Sequence, residues 1–569
     1  MPSFTTIKQK LEEKLHVAVA QLHGEHGLED VPSEVSLQPP KQAEHGDYAA
    51  NIALALAKKF KQPPRVIATK LQEKLGDANG LLTKTEVADA GFLNLFVSDD
   101  AWRESLAGIL AAGPDFIKTN AGRGERVLVE FVSANPTGPL HIAHGRGAVT
   151  GDVICNMLAA SGYKVEREYY VNDLGNQCDI MARSIYLRYG ELFGREFVAP
   201  EDFYPGEYIG DIANEIKEKH GDKFLNVIED DWLPIFRDAG IESMLVRIKA
   251  DLESFGVRFD RFVSERELTD RLGLTDIVSR LKKSGHIYEE DGKKWFRTTD
   301  LGDDKDRVVV REDGRPTYFA SDILYHDDKM QRGFKQLIDI WGADHGGYIA
   351  RVKAAMVATG WDANALDVLL VQMVSLSRGG EAVRMGKRLG TAVWLREVIS
   401  EAGCDATRYF FIMRRSDAQL DFDLELAAKK SLDNPVYYAQ MGHARMCSIA
   451  RRASSMGIAQ PIYSEGTFDA LVLQAELNLI KMMALAPEVI RDAALLREPH
   501  RIVHYVQELI AQFHSYYTKY KNTERVISDD PDKTKARLLL CRGLQVTLKA
   551  LLEDILGVQA PEQMAIEEF

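Results

Sequence analysis

Residues 127–147 have the sequence Val127-Leu-Val-Glu130-Phe-Val-Ser-Ala-Asn-Pro-Thr-Gly-Pro-Leu-His141-Ile-Ala-His144-Gly-Arg-Gly147. The apolar run at its start predicts a strand over 127–132, and the Gly- and Pro-rich residues that follow predict a turn. A helical pattern then extends from about 145 to 160, and Val165-Glu-Arg-Glu-Tyr-Tyr-Val171 predicts another strand. The order strand, turn, helix, strand is typical of a doubly wound parallel sheet.

The pattern of the central part continues this sheet. Apolar runs at 336–341 and 368–374 predict two more of its strands. Between the two halves, residues 175–299 are acidic and predominantly helical in pattern, which indicates an insertion. We therefore predict that residues 113–430 form one α/β domain.

The two ends of the chain differ from the centre. Residues 1–112 predict a separate N-terminal α/β domain, with a helix over 48–60, a strand over 91–97 and a boundary at Gly113-Pro114. After Asp423, helical periodicity replaces strand patterns in segments 471–485, 501–520 and 536–556. The predicted fold class is thus multidomain α/β, with an all-α C-terminal bundle over 431–569.

Composition restricts the classes of function. The 569 residues include 71 basic and 85 acidic side chains, a net charge of −14, so any RNA surface must be a local basic patch. Residues 431–569 carry 15 basic and 17 acidic side chains and can approach phosphate more easily than the rest. The absence of a long apolar run or a signal-peptide pattern predicts a protein that does not enter a membrane.

The cysteines indicate a reduced compartment. None of the five lies in a C-x-x-C pair, so we expect neither a disulfide framework nor a structural zinc site. We predict a cytoplasmic protein. The cysteines are Cys155, Cys178, Cys404, Cys447 and Cys541.

Two histidines follow the Gly/Pro-rich turn at the point where the predicted helix begins. His141 and His144 are three residues apart, so both imidazoles should lie on one face of a helix N-terminus, where free N–H groups already favour anions. Their N–H groups could stabilise charge on phosphate oxygens during a displacement. Two alternatives are a capped helix start with packed histidines and an H-x-x-H metal pair.

These residues carry a resemblance to a known class of enzymes. Pro139-Leu-His-Ile-Ala-His-Gly145 resembles the HIGH signature of class I aminoacyl-tRNA synthetases, whose core is Rossmann-like, with Ala143 at the glycine position. The stretch from Arg384 to Arg388 resembles their KMSKS loop in degenerate form. The first lysine of that signature is absent, so another cation must supply its positive charge. Arg384, or a cation upstream such as Arg123 or Arg126, could replace it, and the alternative for the whole loop is a solvated turn.

The class resemblance implies ATP as a substrate, with Mg²⁺. His141, His144 and Lys387 are then the predicted catalytic residues. A third segment, Ile340-Trp-Gly-Ala-Asp-His-Gly-Gly-Tyr348, resembles the one that holds adenosine, although its Asp and His could simply form a turn. The residues implied to bind ATP are Gly138, Gly145, Gly342, Asp344, His345, Arg384 and Met385.

Within this class the chain most resembles the arginyl-tRNA synthetases. Five stretches in the family's order carry that match, namely 130–139, 171–177, Tyr318-Phe-Ala-Ser-Asp322, 434–445 and 556–564. The resemblance implies that Glu130, Tyr318 and Asp322 bind the guanidinium of L-arginine and that Ser133 and Asn135 hold its α-amino and α-carboxylate groups. Without the resemblance, Glu130 would be interpreted as an ordinary polar residue of a strand, and Tyr318 and Asp322 as residues on one face of a helix.

The same resemblance implies contacts with tRNA(Arg). In the N-terminal domain Asn51 would read a base at the tRNA elbow, whereas nearby Asp47 could simply cap a helix. In the bundle, aromatic and basic side chains would meet unpaired anticodon bases, although aromatics at helical spacing commonly belong to a core. These are Tyr438, His443, Arg445, and in addition Tyr516 and Tyr517.

The resulting hypothesis is a monomeric arginine-tRNA ligase without a prosthetic group or structural zinc. In the family, tRNA binds before arginine is activated. Two alternatives stay open from the residues: a catalytically idle RNA-binding paralogue, and a class I synthetase for another amino acid such as cysteine or lysine. The cysteine enzyme would be expected to carry zinc-ligand cysteines, which have no counterpart in this sequence.

Overall fold

The computed structural model describes residues 4–28, 30–32, 34–40, 42–383 and 393–564. They form an N-terminal α/β part, a central part built on a parallel sheet, and a helical C-terminal part. No helix in these ranges is both long and apolar enough to span a bilayer.

The N-terminal part contains a four-stranded antiparallel sheet in the order β1-β2-β4-β3. Its elements are α1 (Ile7–Glu25), β1 (Leu37–Gln38), β2 (Tyr48–Ala50), α2 (Ile52–Phe60), α3 (Pro64–Leu75), β3 (Leu82–Val87), β4 (Leu93–Val97) and α4 (Asp99–Ala112). The predicted helix over 48–60 is wrong at its start. Tyr48 and Ala50 are buried and pair with Leu95 and Leu93 of β4, so tertiary pairing overrides local helical propensity there.

The central part is built on a five-stranded sheet, all parallel, in the order β12 (Leu366–Val371), β11 (Gln336–Gly342), β5, β6 and β7. Its elements up to β7 are β5 (Arg126–Glu130), α5 (Ile142–Ala160), β6 (Lys164–Val171), α6 (Asn176–Glu191), α7 (Glu207–His220), α8 (Glu229–Ser254) and β7 (Arg261–Ser264). The predicted strands and the predicted helix of the opening segment are confirmed to within a few residues. Because the chain runs from β5 to β7 on one side and returns to β11 on the other, a crevice opens between β5 and β11.

Strand β7 corrects one prediction. It lies inside the stretch 175–299 predicted as a single insertion, and it divides that stretch into a helical excursion, α6 to α8, and a second one after β7. The second excursion holds α9 (Glu265–Leu272), α10 (Leu274–Lys283) and the antiparallel strands β8 (Ile287–Glu290), β9 (Lys293–Phe296) and β10 (Arg307–Val310). Four residues, half of them polar, give too weak a pattern to predict β7.

The rest of the central part completes the sheet and leads to the bundle. It comprises α11 (Tyr318–Gln331), β11 (Gln336–Gly342), α12 (Ile349–Ala358), β12 (Leu366–Val371), β13 (Val374–Arg378), β14 (Glu381–Ala382), α13 (Leu395–Ala402), α14 (Cys404–Ile412), β15 (Leu420–Asp423) and α15 (Leu424–Ala428). Strands β14, β13 and β15 form a separate small sheet.

The C-terminal part consists of helices joined by loops, with no strand among its described residues, as predicted. Its helices are α16 (Pro435–Ser455), α17 (Gln474–Leu496), α18 (His500–Tyr520) and α19 (Pro531–Lys549), which continues into a π-helical turn, Ala550–Leu556.

Buried polar contacts join the three parts. The Arg408 guanidinium donates to the Phe255 carbonyl (2.8 Å), to Asp152 of α5 (2.5 Å) and to the Leu556 carbonyl (3.0 Å). Lys481 of α17 reaches Asp47 of the N-terminal part at 3.1 Å. The helix that begins at the histidine pair is therefore connected to the end of the bundle through Arg408 of α14.

Candidate active site

The two histidines lie where α5 begins, at the carboxyl edge of the sheet. His141 is in extended conformation just before the helix, and its N–H donates to Nδ1 of His144 at 3.2 Å. The two rings stack with centroids 3.6 Å apart. Because Nδ1 of His144 accepts this bond, its neutral ring carries the proton on Nε2, where it can be donated to an oxygen.

Gly145 has a packing role that the sequence did not predict. It is buried, and a Cβ at this position would lie 2.5 Å from Leu395 Cδ1 and 2.9 Å from Phe411 Cε2. The glycine is therefore needed for the close approach of α5 to α13 and α14, and its contact with ATP stays a prediction. Gly138, the other glycine predicted there, is half-buried in the turn, where a Cβ would lie 3.2 Å from Tyr208 Oη.

The turn after β5 is strained. Val132 and Ser133 have φ of 68° and 38°, the left-handed region that β-branched residues rarely adopt. This turn lets the Ser133 hydroxyl donate to Glu130 Oε1 at 2.8 Å while its oxygen accepts from the Tyr170 N–H at 3.1 Å. Such strain is commonly found where a site needs side chains in a fixed place.

Glu130 belongs to a buried ionic network below that turn. Its Oε2 accepts from Lys329 Nζ at 2.6 Å, and the same ammonium donates to Asp339 at 2.9 Å. Burial would raise the pKa of Asp339, but the charge of Lys329 and the hydrogen bond from His326 outweigh it and lower the pKa to about 2. Both Glu130 oxygens thus already have protein partners, and a guanidinium would share them.

A cavity of about 220 Å³ lies beside this turn. Two predicted arginine-binding residues line it, Asn135 and Tyr318, together with the loop between β6 and α6. Asn135 donates to Gln177 Oε1 at 2.8 Å, and Tyr318, the first residue of α11, is 54% exposed. The structure therefore brings together three of the stretches on which the resemblance rests.

Two carboxylates, half-buried Asp322 and buried Glu265, lie close together near α11. Asp322 accepts from the Tyr348 hydroxyl at 2.6 Å, and burial raises its pKa. Glu265 is only 3% exposed, and burial raises its pKa to about 7, opposed by a hydrogen bond with Ser321 and reinforced by the charge of Asp322. Burial and the charges of Glu265 and Asp322 also raise the pKa of Tyr170. A cation bound here would relieve this unfavourable clustering of negative charge.

Sequence reasoning did not select Glu265. It follows β7 directly, so it stands at the carboxyl edge of the sheet where ligands bind in such folds. A carboxylate immediately after a strand is the sequence pattern that could have identified Glu265. Because β7 was not predicted, this pattern could not be recognised.

The predicted adenosine segment lies at the same edge, after β11. Gly342 ends that strand, and the short helical turn Ala343–Tyr348 follows. Asp344 and His345 are exposed, with His345 Nε2 3.6 Å from Asp344 Oδ2. A Cβ at Gly342 would lie 2.5 Å from Asp344 Oδ1, the tip of an exposed side chain that can turn away. Arg384, Met385 and Lys387 lie outside the described residues.

The predicted tRNA contacts separate into exposed and buried residues. Asn51 and Arg445 are exposed, and Tyr438 is half-buried with its ring 5.3 Å from that of His514. Asp47 does not cap α2, because it accepts from the Val97 N–H (2.9 Å) and from Lys481.

Two predicted base contacts are corrected. His443 and Tyr516 are each 2% exposed. The His443 ring hydrogen-bonds to the Pro561 carbonyl at 3.0 Å, and the Tyr516 hydroxyl donates to Glu476 at 3.1 Å. Helical spacing turns both side chains toward neighbouring segments of the bundle, so neither can stack on a base. Tyr517 remains half-buried.

Three family models match consecutive parts of the chain. They are the arginyl tRNA synthetase N terminal domain (residues 5–97), the tRNA synthetases class I (R) catalytic domain (106–448) and the DALR anticodon binding domain (439–564). The central model alone covers more than half of the sequence.

Individual relatives agree with these models over nearly the full length. The chain is 47% identical over 560 residues to the arginine-tRNA ligase of Syntrophotalea carbinolica, covering 98% of this chain and 100% of that one. It is 48% identical over 536 residues to that of Geobacter sp. strain M21, covering 94% and 96%. The Thermus thermophilus arginyl-tRNA synthetase structure shares the fold, with a TM-score of 0.73 at 22% identity over 98% of this chain and 100% of that one. This chain belongs to the arginyl-tRNA synthetase family of class I aminoacyl-tRNA synthetases.

Proposed function

We propose that the chain is an arginine-tRNA ligase, which uses ATP to activate L-arginine and transfers it to the 3′-terminal adenosine of tRNA(Arg). The observation that carries this proposal is a pair of neighbouring carboxylates, half-buried Asp322 and buried Glu265, whose pKa values are both raised by burial. Guanidinium is a planar cation with five donors, and it suits carboxylates that are otherwise costly to ionise.

The first chemical step is displacement at phosphorus. The arginine carboxylate attacks the α-phosphate of ATP in line, the bond to pyrophosphate breaks, and arginyl-adenylate forms. His141 and His144 donate N–H groups to phosphate oxygens, and the helix N-terminus adds its own field. Lys387, which lies outside the described residues, would complete this set. None of these side chains forms a covalent bond with substrate.

The second step transfers the amino acid. A ribose hydroxyl of the terminal adenosine of tRNA attacks the carbonyl carbon of the adenylate, and AMP leaves with the bonding electron pair. Mg²⁺ enters as part of the ATP substrate, held mainly by phosphate oxygens and water. Gly138, Gly342, Asp344 and His345 border the place proposed for the nucleotide.

Substrate selection follows from the cavity beside the turn. In this proposal Ser133 and Asn135 hold the α-amino and α-carboxylate groups, and Tyr318, Asp322 and Glu265 meet the guanidinium. Each charged hydrogen bond contributes about 1.5–3 kcal/mol. Lysine or citrulline would leave a buried carboxylate unpaired, which supports discrimination of roughly 10⁴-fold without editing.

The tRNA would contact both ends of the chain. We assign Asn51 to the elbow, and Tyr438 and Arg445 to unpaired anticodon bases, since these side chains stay accessible. The direct connection through Arg408 gives a path by which the bundle could gate activation until tRNA is bound. We further propose that the protein acts as a cytoplasmic monomer, which size-exclusion chromatography with light scattering tests.

Pyrophosphate exchange into ATP, measured with each amino acid in turn and with or without total tRNA, tests the assignment. Exchange with arginine only, requiring tRNA and lost in Asp322→Asn, supports it. Asp270→Asn is the matched control, because Asp270 is an exposed carboxylate on α9. Exchange with another amino acid would reassign the substrate, and no exchange at all would favour an RNA-binding protein without catalysis.

A further inference from the structure

His326 is a buried, titratable side chain that the proposed chemistry of arginine activation does not use. It lies on α11, four residues after Asp322, and is 5% exposed. An apolar side chain would cost less to bury than an imidazole, so the polar contacts of the ring show what it contributes. Those contacts reach two elements, α11 itself and the strand β11.

Each ring nitrogen of His326 faces an oxygen. Nδ1 lies 2.8 Å from the carbonyl oxygen of Asp322, and Nε2 lies 2.8 Å from Oδ2 of Asp339 on β11. A carbonyl oxygen can only accept a hydrogen bond. Asp339 can also only accept, because Lys329 and the bond from His326 outweigh the effect of burial and lower its pKa to about 2. The ring satisfies both acceptors only with a proton on each nitrogen, that is, as an imidazolium.

A second buried histidine shows that the local bond alone does not require two protons. His23 of α1 makes the same contact within its helix, with Nδ1 2.9 Å from the Val19 carbonyl oxygen four residues earlier. It is 0% exposed, and among the described residues its Nε2 has no hydrogen-bond partner. One proton, on Nδ1, satisfies that ring. The contact between Nε2 and a carboxylate is therefore what distinguishes His326.

The His326 ring joins the main chain of α11 to the central strand β11. Asp339, its partner on β11, is fully buried and is also bound by Lys329 at 2.9 Å, so its position is fixed from two sides. The Asp322 carbonyl accepts the other ring N–H, and the Asp322 carboxylate accepts from the Tyr348 hydroxyl at 2.6 Å. One bond therefore holds the main chain of Asp322, and another holds its carboxylate.

The charge of the imidazolium also acts on the carboxylates around it. Burial raises the pKa of Asp322, and the hydrogen bond from Tyr348 and the charge of His326 oppose that shift. The same charge favours the ionised forms of Glu130 and Asp339. Because a carboxylate binds a guanidinium most strongly when it is ionised, a neutral ring at position 326 would weaken the site as well as loosen it.

We propose that His326 is a positioning residue of the arginine site, held as an imidazolium between Asp339 and the main chain of Asp322. It acts through Asp322 and does not touch the substrate. The inference rests on the proposed function, since Asp322 meets the guanidinium there. A ring that only filled space between α11 and β11 would contribute to folding but would not affect arginine more than ATP.

The number of ring protons is measured by NMR on the full-length protein labelled with ¹⁵N in its histidine side chains. At pH 8 an ordinary histidine, with a pKa of about 6.5, has one ring N–H group. His326 should show two at that pH and His23 one, with the signal of position 326 identified from its loss in His326→Gln, or in His326→Asn if the first variant is unstable. A single ring N–H group on His326 would overturn the inference.

Isothermal titration of His326→Gln with arginine and, separately, with ATP measures the positioning role. Glutamine can donate to one of the two oxygens but carries no charge, so the Kd for arginine should rise about 10- to 100-fold, as expected when a binding group is displaced by about 1 Å. The Kd for ATP should not change. His23→Gln is the matched control, because it removes the same kind of buried intrahelical bond from the N-terminal part and should leave both Kd values unchanged.

The outcomes separate this role from a structural one and from the overall function. Equal arginine Kd values for His326→Gln and the wild type would overturn the inference. Parallel weakening of arginine and ATP binding with a lowered melting temperature would show a structural role and would also overturn it. Failure of the wild type itself to bind arginine would refute the proposed function, whereas a wild type that binds arginine and a variant that binds it equally well would refute only the role of His326.

Discussion

Replacing Glu265 by glutamine should weaken arginine binding and remove its pH dependence near neutrality. The side chain is almost fully buried, and its pKa of about 7 is far above the ordinary value of 4.5 because burial and the charge of Asp322 disfavour the anion. The neutral acid predominates below that pKa and the carboxylate above it. Arginine affinity is therefore gained as the pH rises through about 7 and lost as it falls.

The size of the effect follows from the ionised fraction. About one tenth of Glu265 is ionised at pH 6 and about nine tenths at pH 8, so the Kd for arginine should be roughly tenfold higher at pH 6. At pH 7 about half a proton should be released for each arginine bound. At pH 8, Glu265→Gln should raise the Kd by about 10- to 150-fold, which corresponds to one charged hydrogen bond.

Isothermal titration of arginine at several pH values, in two buffers of different ionisation enthalpy, measures both quantities. The conservative control is Glu267→Gln, which neutralises an exposed carboxylate two residues away on α9. A flat Kd between pH 6 and 8 in the wild type, or a Glu265→Gln variant that binds arginine as tightly as the wild type, would refute the reasoning.

Three further substitutions test separate parts of the site. Lys329→Met leaves Glu130 and Asp339 buried without their cation. The free energy of unfolding, measured by urea denaturation, should therefore fall by about 3–5 kcal/mol. Replacing the exposed Lys335 by Met should change it by less than about 0.5 kcal/mol. Gly145→Ala should lower the free energy of unfolding by about 1–3 kcal/mol, because the added methyl group would collide with Leu395. Gly147→Ala on the same helix has nothing within 4 Å and should be neutral or stabilising. A raised KM for ATP in Gly145→Ala at an unchanged melting temperature would instead support the predicted contact between Gly145 and the nucleotide. His144→Asn should lower kcat for pyrophosphate exchange by about 10²- to 10³-fold with little change in the KM for arginine, and an undiminished kcat would remove His144 from the phosphate site.

The sequence predicted the central sheet well because its strands are long and apolar. The runs at 127–132 and 336–341 sit in the middle of the sheet and are mostly hydrophobic, and 165–171, although interrupted by Glu166, Arg167 and Glu168, keeps the aromatic and β-branched residues that favour a strand. Strand β7 lies at the sheet edge and has only four residues, so local pattern could not reveal it. Missing β7 also hid Glu265, whose importance depends on standing at the end of a strand.

Side-chain environments were harder to predict than the fold. The Glu130–Lys329–Asp339 network joins residues about 200 positions apart, and its ionisation depends on burial that no local pattern encodes. His443 lies only two residues from exposed Arg445, yet it faces the bundle interior. Helical periodicity predicts which residues share a face, but not whether that face meets water or a neighbouring segment.

The most direct test of the account is to identify the amino acid that the protein attaches to tRNA. The protein would be incubated with ATP, Mg²⁺, total tRNA and all twenty amino acids, and the ester-linked amino acid would be released from the tRNA and identified by mass spectrometry. The account predicts arginine alone, with none attached by Asp322→Asn. Any other amino acid on the tRNA, or arginine attached equally well by that variant, would contradict it.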